Sequence, residues 1–128
     1  MGEDSETLAK VVPRFKLWLE YEGSPLMGEG RVSILEAIGR LNSIKRACES
    51  LGISYRYGWG CIRKIESRLG RPVVERRRGG YGGGGARLTG LGRMLTERYR
   101  IIEARVREGI GGPRVVAGAG ASERGPEG

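Results

Sequence analysis

The spacing of hydrophobic residues changes along the chain from a period of two to the period of a helix. Over residues 14–23 apolar and polar side chains alternate, which predicts a strand. Residues 23–30 hold three glycines and a proline, which predicts a loop. From residue 31 apolar positions recur three and four residues apart, so helices are expected from there on. The alternating apolar residues are Phe15, Leu17, Leu19 and Tyr21.

Three consecutive helices are predicted after that point. The first covers 31–42. Ser43 is placed to cap a second helix and Gly52 to end it. Ser54 is placed to cap a third helix over 54–70. A connection of about three residues between the second and third helices is typical of a helix-turn-helix.

A β-hairpin and a long helix are predicted to follow. Two short strands, 71–78 and 86–89, flank a glycine run, which predicts a hairpin. Thr89 is placed to cap a final helix over 90–108. The predicted fold is therefore mainly α with a small β-hairpin: a winged helix-turn-helix with a long C-terminal helix. We expect one domain over 13–108, with a flexible leader before it and a disordered, glycine-rich tail over 109–128.

Composition argues against catalysis and against metal binding by this chain. The sequence has no histidine, the commonest general base, and no catalytic constellation. Its two cysteines, Cys48 and Cys61, lack CxxC spacing and cannot complete a four-ligand zinc site without histidine. We therefore expect two buried thiols, no metal, no cofactor and no enzyme. No apolar run approaches the ~18 residues that span a bilayer, so a cytoplasmic, nucleoid-associated protein is expected.

Positive charge is concentrated in the middle of the chain. Residues 40–107 hold 17 basic and 5 acidic residues, whereas the whole chain has a net charge of +8. Arginine outnumbers lysine 19 to 4, and its planar fork suits phosphate and guanine edges. A basic field of this kind favours a polyanionic partner, and double-stranded DNA fits the predicted fold.

Residues expected to contact DNA lie on three elements. The outer face of the third helix is polar and includes Gly60, whose missing side chain would allow close approach of a partner. The second helix and the hairpin would contact phosphates. The predicted DNA-binding residues are Arg46, Ser54, Arg56, Tyr57, Gly60, Arg63, Lys64, Arg76, Arg77, Arg78, Gly79, Gly80, Tyr81, Arg87 and Thr89.

The residues also resemble a known family. The stretch from "GEGRVSILEAIGRL" through "SYRYGWG" to the wing "GGYGGGGARLTGLG" is similar to the N-terminal DNA-binding domain of ModE-type, molybdate-responsive regulators, relatives of the LysR-type winged helix. The resemblance covers about residues 14–106. In the family this domain precedes molybdate-binding modules, whereas only low-complexity residues follow here, so we expect no oxyanion pocket in this chain.

The resemblance implies a homodimer built through the final helix, and the wide apolar stripe on that helix agrees with it. The predicted interface residues are Leu91, Leu95, Tyr99, Ile102 and Val106. The expected function is that of a sequence-specific transcriptional regulator. Two alternatives remain open: a sequence-indifferent architectural DNA-binding protein, and an RNA-binding protein that uses the Arg/Gly-rich hairpin.

Overall fold

The computed structural model describes residues 2–77, 85–111 and 116–117. The helices are α1 (Gly2–Ala9), α2 (Glu29–Leu41), α3 (Ile44–Leu51), α4 (Tyr55–Leu69) and α5 (Gly90–Gly109). The strands are β1 (Arg14–Phe15), β2 (Trp18–Tyr21), β3 (Ser24–Gly28), β4 (Val74–Arg77), β5 (Gly85–Leu88) and β6 (Val116–Ala117). The order α2–α3–α4, antiparallel hairpin β4–β5, then α5 confirms the winged helix-turn-helix prediction.

The predicted caps of the helix-turn-helix are confirmed. The Ser43 hydroxyl accepts a hydrogen bond from the backbone N–H of Arg46 at 3.0 Å, and α3 ends at Gly52 with φ +69°. The Ser54 hydroxyl accepts from the N–H of Tyr57 at 3.0 Å. These caps satisfy orphan backbone groups at both sides of the turn, and the angle between α3 and α4 is thereby defined locally.

The segment before α2 differs from its prediction. Instead of one strand followed by a loop over 23–30, β2 and β3 form an antiparallel hairpin. Glu22 and Gly23 have φ of 50° and 84°, the positive values of a two-residue hairpin turn. Pro25 pairs with Glu20 beside a register shift between Leu19 and Glu20, and β3 has a partner strand on one side only; proline is found at edge strands and bulges of this kind. The proline was the misleading signal.

The ends of the chain also differ from their predictions. Residues Gly2–Ala9 form α1 rather than a loose leader, favoured by acidic residues in its first turn, but none of them is buried. Within the tail, Val116 pairs in parallel with Arg14, and Ala117 with Phe15. A free strand edge offers unpaired backbone groups to such a segment. The remaining tail residues lie outside the described ranges, and the flexibility of the leader and the domain limits stay predictions.

The core lies between α2, α3, α4 and the wing, which we define as residues 74–88. Helix α2 contributes the predicted stripe of Val32, Leu35 and Ile38, each 0% exposed. Cys48 and Cys61 are free, buried thiols, as expected. Burial and the nearby Cys61 raise the pKa of the Cys48 thiol. Other buried residues are Leu26, Met27, Ile34, Ala37, Ile44, Ala47, Ile62, Ile65, Val73, Val74, Ala86 and Leu88.

The base of the wing is fixed to two helices. A carboxylate oxygen of Glu66, on α4, accepts hydrogen bonds from the backbone N–H groups of Val73 at 2.8 Å and Val74 at 3.2 Å. The carbonyl of Asn42, at the end of α2, accepts from the N–H of Ala86 at 3.1 Å. The strands of the wing therefore leave the core in a defined direction beside α4.

Candidate nucleic-acid interface

One face of α4 is polar, basic and open to solvent. We call the set Arg56, Tyr57, Gly60, Arg63 and Lys64 the recognition face. Its four side chains are exposed, and Gly60 is partly exposed. Ser54, predicted with them, is exposed at the helix start but its hydroxyl caps α4. The opposite side of the helix is buried, so burial fixes which face remains available.

The two glycines of α4 have different surroundings, as their positions predict. A Cβ on Gly58 would lie 2.4 Å from the Cys48 sulfur, so this glycine permits close packing of α3 on α4. A Cβ on Gly60 would meet no atom within 4 Å. Packing within the described part of the protein therefore does not require a glycine at position 60. Close approach of a binding partner to this face would require one.

An aromatic residue joins the recognition face to the wing. The guanidinium carbon of Arg63 lies 5.6 Å from the ring centroid of Trp59, and that of Arg76 lies 5.1 Å from it. The Tyr55 ring meets Trp59 edge-on, with centroids 6.4 Å apart. Tyr55 lies at the start of α4 and is 45% exposed. The contact between Trp59 and Arg76 was missed, since it joins two separate elements.

The wing carries exposed cations beside α4. Arg76 and Arg77 are exposed on β4. Arg87, also exposed, pairs across the hairpin with Glu75 at 3.0 Å, so its charge is partly compensated. Such an exposed pair adds little stability, about 0–1 kcal/mol. The predicted contacts Arg78, Gly79, Gly80 and Tyr81 lie outside the described residues.

A small cleft separates the wing from the start of α3. Its volume is about 160 Å³. The N-terminal turn of α3 presents backbone N–H groups here, and a helix N-terminus attracts anions. The exposed Arg46 lies in the same turn. The cleft is lined by Ser43, Ile44, Lys45, Tyr55, Arg76, Arg77, Gly85 and Ala86.

Most cations around these elements keep their full charge. Within residues 2–77, 85–111 and 116–117, carboxylates form ion pairs with Arg87, Arg100 and Arg107, and none is seen with a basic residue of α3, the recognition face or β4. The basic side chains of α3, the recognition face and β4 therefore have no carboxylate neutralising them within those ranges. A concentration of unpaired positive charge on a protruding surface is suited to a phosphate backbone.

Thr89 has a structural role that the DNA-contact prediction did not include. Its hydroxyl accepts from the N–H of Gly92 at 3.0 Å, which confirms the predicted cap of α5. The same hydroxyl donates to the carbonyl of Pro72 at 2.9 Å. Because its proton is already donated, Thr89 is poorly suited to donate to a phosphate.

The exposed apolar face of α5 differs from the predicted dimer stripe. Tyr99 is 2% exposed and its hydroxyl donates to the carbonyl of Leu17 at 3.0 Å. Leu91 and Leu95 also pack against the core. Tyr99 therefore belongs to the protomer's own fold, and the expectation is corrected for it, whereas Leu91 and Leu95 are only partly buried and their place in an interface stays a prediction. Ile102 and Val106 are half-buried.

The apolar residues that α5 leaves exposed are Met94 at 60% and Ile101 at 53%. They lie in an open groove of about 430 Å³ that also carries charges of both signs. The periodicity was misleading because α5 has two apolar stripes: one serves the core and the other faces outward. The groove is lined by Met94, Glu97, Arg98, Ile101, Ile102 and Arg105.

The described residues contain neither a membrane-spanning helix nor a cluster of metal-ligating side chains. Within residues 2–77, 85–111 and 116–117, no helix has the length and apolar character of a membrane span. Across those same ranges, no cluster of three or more potential metal-ligating side chains is present.

The sequence matches a family of bacterial regulatory proteins and is similar to several named bacterial proteins. Residues 30–93, half of the chain, match the family described as "Bacterial regulatory helix-turn-helix protein, lysR family". The molybdenum-pterin-binding protein MopB of Rhodobacter capsulatus is 44% identical over 105 residues, which cover 82% of this chain and 36% of MopB. The DNA-binding transcriptional dual regulator ModE of Escherichia coli (strain K12) is 38% identical over 72 residues, covering 56% of this chain and 28% of ModE.

A third relative is also similar over most of the chain. The molybdenum-pterin-binding protein MopA of Rhodobacter capsulatus is 33% identical over 95 residues, covering 74% of this chain and 36% of MopA. The chain thus spans about a third of the length of these relatives. The family match includes α2, α3, α4 and the wing, the elements that build the basic surface. The chain therefore belongs to the lysR family of bacterial regulatory helix-turn-helix proteins, with a helix-turn-helix segment that matches the ModE type.

Proposed function

We propose that this chain binds double-stranded DNA sequence-specifically as a homodimer and regulates transcription. The observation that carries the proposal is the recognition face: an exposed set of cations and one open glycine on the helix that follows the tight turn. An α-helix fits the major groove, which is about 12 Å wide. No catalytic step and no cofactor belongs to the proposal.

Each element has a distinct role in this proposal. Arg56, Arg63 and Lys64 read base edges or meet phosphates in the major groove, and Gly60 lets the helix approach closely. The cleft at the start of α3 receives a phosphate, with Arg77 and the α3 N–H groups as donors. Contacts to phosphate set the register of the protein on the duplex, whereas contacts to bases select the sequence.

The relatives support the regulatory role. ModE of Escherichia coli is named a DNA-binding transcriptional dual regulator, and MopA and MopB are named molybdenum-pterin-binding proteins. Since this chain spans about a third of each, we extend only DNA binding and regulation to it. A regulator of this kind would act in the cytoplasm at the nucleoid.

Removal of wing cations tests the proposal. The double variant Arg76→Ala/Arg77→Ala is expected to weaken binding to all duplexes because phosphate contacts are lost. The slope of log K against log salt should become shallower by up to ~0.9 for each lost contact, or ~1.8 in total. Fluorescence anisotropy with a labelled duplex at several salt concentrations measures the slope.

The matched control removes the same charge elsewhere. Lys10→Ala/Arg14→Ala changes two exposed cations of the N-terminal segment and should leave the slope unchanged. Equal slopes in the wing variant and wild type would refute phosphate contact by the wing. Stronger binding to single-stranded RNA than to duplex DNA would favour the RNA-binding alternative.

The dimer is proposed to form through the outward groove of α5. Ile101 supplies exposed apolar area, and the neighbouring Glu97, Arg98 and Arg105 supply charges that a two-fold axis can pair between copies. The proposal requires that the two copies of α4 lie on one side of the dimer, where they can reach two half-sites about 34 Å apart.

Ile101→Glu is expected to break this dimer, because two like charges would meet near the two-fold axis. The dimer dissociation constant should rise at least about tenfold, and specific affinity should fall more than non-specific affinity. Sedimentation velocity across a concentration series measures the change. Ile110→Glu, an exposed isoleucine just beyond α5, is the control and should remain dimeric. A monomeric wild type at micromolar concentration would contradict the dimer.

A further inference from the structure

We propose that Trp59 is a positioning residue for DNA binding: its ring holds Arg63 of α4 and Arg76 of the wing as an oriented pair. The inference rests on the proposed DNA-binding function and adds a residue that is absent from the predicted contact set. Trp59 itself is partly buried and packs against the core, so packing holds its ring in place.

The first support is geometric. The guanidinium groups of Arg63 and Arg76 lie 5.6 Å and 5.1 Å from the same indole centroid, within the ~6 Å range of a cation–π contact. Arg63 is four residues beyond Trp59 on α4, whereas Arg76 comes from β4. One ring therefore contacts both a recognition-face cation and a wing cation. Tyr55 meets the ring edge-on and limits its rotation.

The second support is electrostatic. Arg100, which has a structural role, is held by three carboxylates that neutralise it. Arg63 and Arg76 form no ion pair with a carboxylate inside the described ranges. An aromatic ring orients a guanidinium without cancelling its charge. The stacked plane also leaves its N–H edges able to bond to phosphate or guanine.

The third support is the position of the contact along the wing. Glu66 fixes the base of the wing through Val73 and Val74. Arg76 lies two residues farther along β4, where Trp59 provides the next attachment to α4. Arg76 also lines the cleft at the start of α3. Loss of the ring would therefore release the wing from α4 above its base and disorient two cations at once.

The first experiment replaces the ring. Trp59→Leu is expected to weaken duplex binding by about 5- to 30-fold, the combined effect of two cation–π pairs. Trp59→Phe, which keeps a weaker aromatic face, should recover part of the loss. Trp18→Leu is the matched control: Trp18 lies on β2 and donates to Glu20, and its variant should bind within twofold of wild type. Affinities are compared well below each variant's unfolding temperature.

A double-mutant cycle separates positioning from general destabilisation. If Trp59 orients Arg76, then Arg76→Met should cost at least about threefold less affinity in the Trp59→Leu background than in wild type. A purely structural role for Trp59 predicts equal costs. Equal costs, or a folded Trp59→Leu that binds within twofold of wild type, would overturn the inference.

A second pair of variants leaves Trp59 intact. It tests whether the Trp59 ring orients Arg76 even if Trp59→Leu does not fold. Arg76→Lys keeps the charge but loses the planar group that stacks, so affinity should fall at least about threefold at an unchanged salt slope. Arg40→Lys, at an exposed arginine of α2 to which we assign no DNA contact, should bind within twofold. Equal effects of the two substitutions would overturn the inference. Failure of wild type to bind any duplex would instead overturn the proposed function.

Discussion

Gly92→Ala is expected to destabilise the protein by about 3 kcal/mol or more, although it adds one methyl group. The new Cβ would lie 2.3 Å from the carbonyl oxygen and 3.2 Å from the carbonyl carbon of Val73. That oxygen accepts a hydrogen bond from the N–H of Thr89 at 3.0 Å, so it cannot withdraw without a further loss. The clash would separate the base of the wing from the start of α5. Urea unfolding followed by circular dichroism measures the change.

Gly60→Ala is the matched control for that prediction. A Cβ at Gly60 meets nothing within 4 Å, and alanine is the better helix former. The control should therefore be more stable than wild type, by roughly 1 kcal/mol. A Gly92→Ala variant within about 1 kcal/mol of wild type would contradict the close packing at this junction.

Arg100→Met is expected to destabilise the protein by about 2–3 kcal/mol at pH 7, because Glu29 and Glu36 would lose the cation that pairs with them, while Glu103 would keep only Arg107. The guanidinium of Arg100 lies 2.8 Å from Glu29, 2.8 Å from Glu36 and 3.0 Å from Glu103. Hydrogen bonds that Arg100 donates to the carboxylates of Glu36 and Glu29 raise the pKa of Arg100, so it stays charged. Arg56→Met, an exposed helical arginine without a carboxylate partner in the described ranges, should change stability by less than ~0.5 kcal/mol.

The effect of Arg100→Met should depend on pH in a definite direction. Burial alone would raise the pKa of Glu29, but hydrogen bonds from Arg100 and Ser33 outweigh it and lower the pKa. A carboxyl group with a lowered folded-state pKa stabilises the fold above its unfolded-state pKa of about 4.3, and this contribution is lost as pH falls through the folded-state value. In Arg100→Met the clustered carboxylates repel one another, and their protonation at low pH removes this repulsion.

The difference in unfolding free energy between wild type and Arg100→Met should therefore shrink from pH 7 to pH 4. Urea unfolding at several pH values measures it. A difference that is constant over this range would mean that Arg100 acts through packing and not through its ion pairs.

Local signals were sufficient to predict the helix-turn-helix and its wing. Ser43, Ser54 and Thr89 were identified as caps because a cap needs only a hydroxyl and the N–H three residues later. Each of these features depends on neighbours within one or two helical turns.

Features that join distant segments could not be predicted from spacing. Arg100 binds Glu36 and Glu29, which precede it by 64 and 71 residues. Tyr99 is buried because its hydroxyl reaches the carbonyl of Leu17, 82 residues away. A helical stripe shows that a face is apolar, but not whether the core or another chain covers it. For this reason the predicted dimer stripe on α5 included Tyr99 of the protomer's own core, and Leu91 and Leu95, which pack against that core.

Selection of binding sites from a random pool of duplex DNA tests the central claim most directly. The purified full chain is incubated with the pool, bound duplexes are recovered at near-physiological salt, and enriched sequences are determined over successive rounds. The account predicts one enriched, pseudo-palindromic motif whose half-sites lie about 34 Å apart, or a multiple of it, on the duplex. Binding without enrichment of any sequence, or no retention of duplex DNA at all, would contradict it.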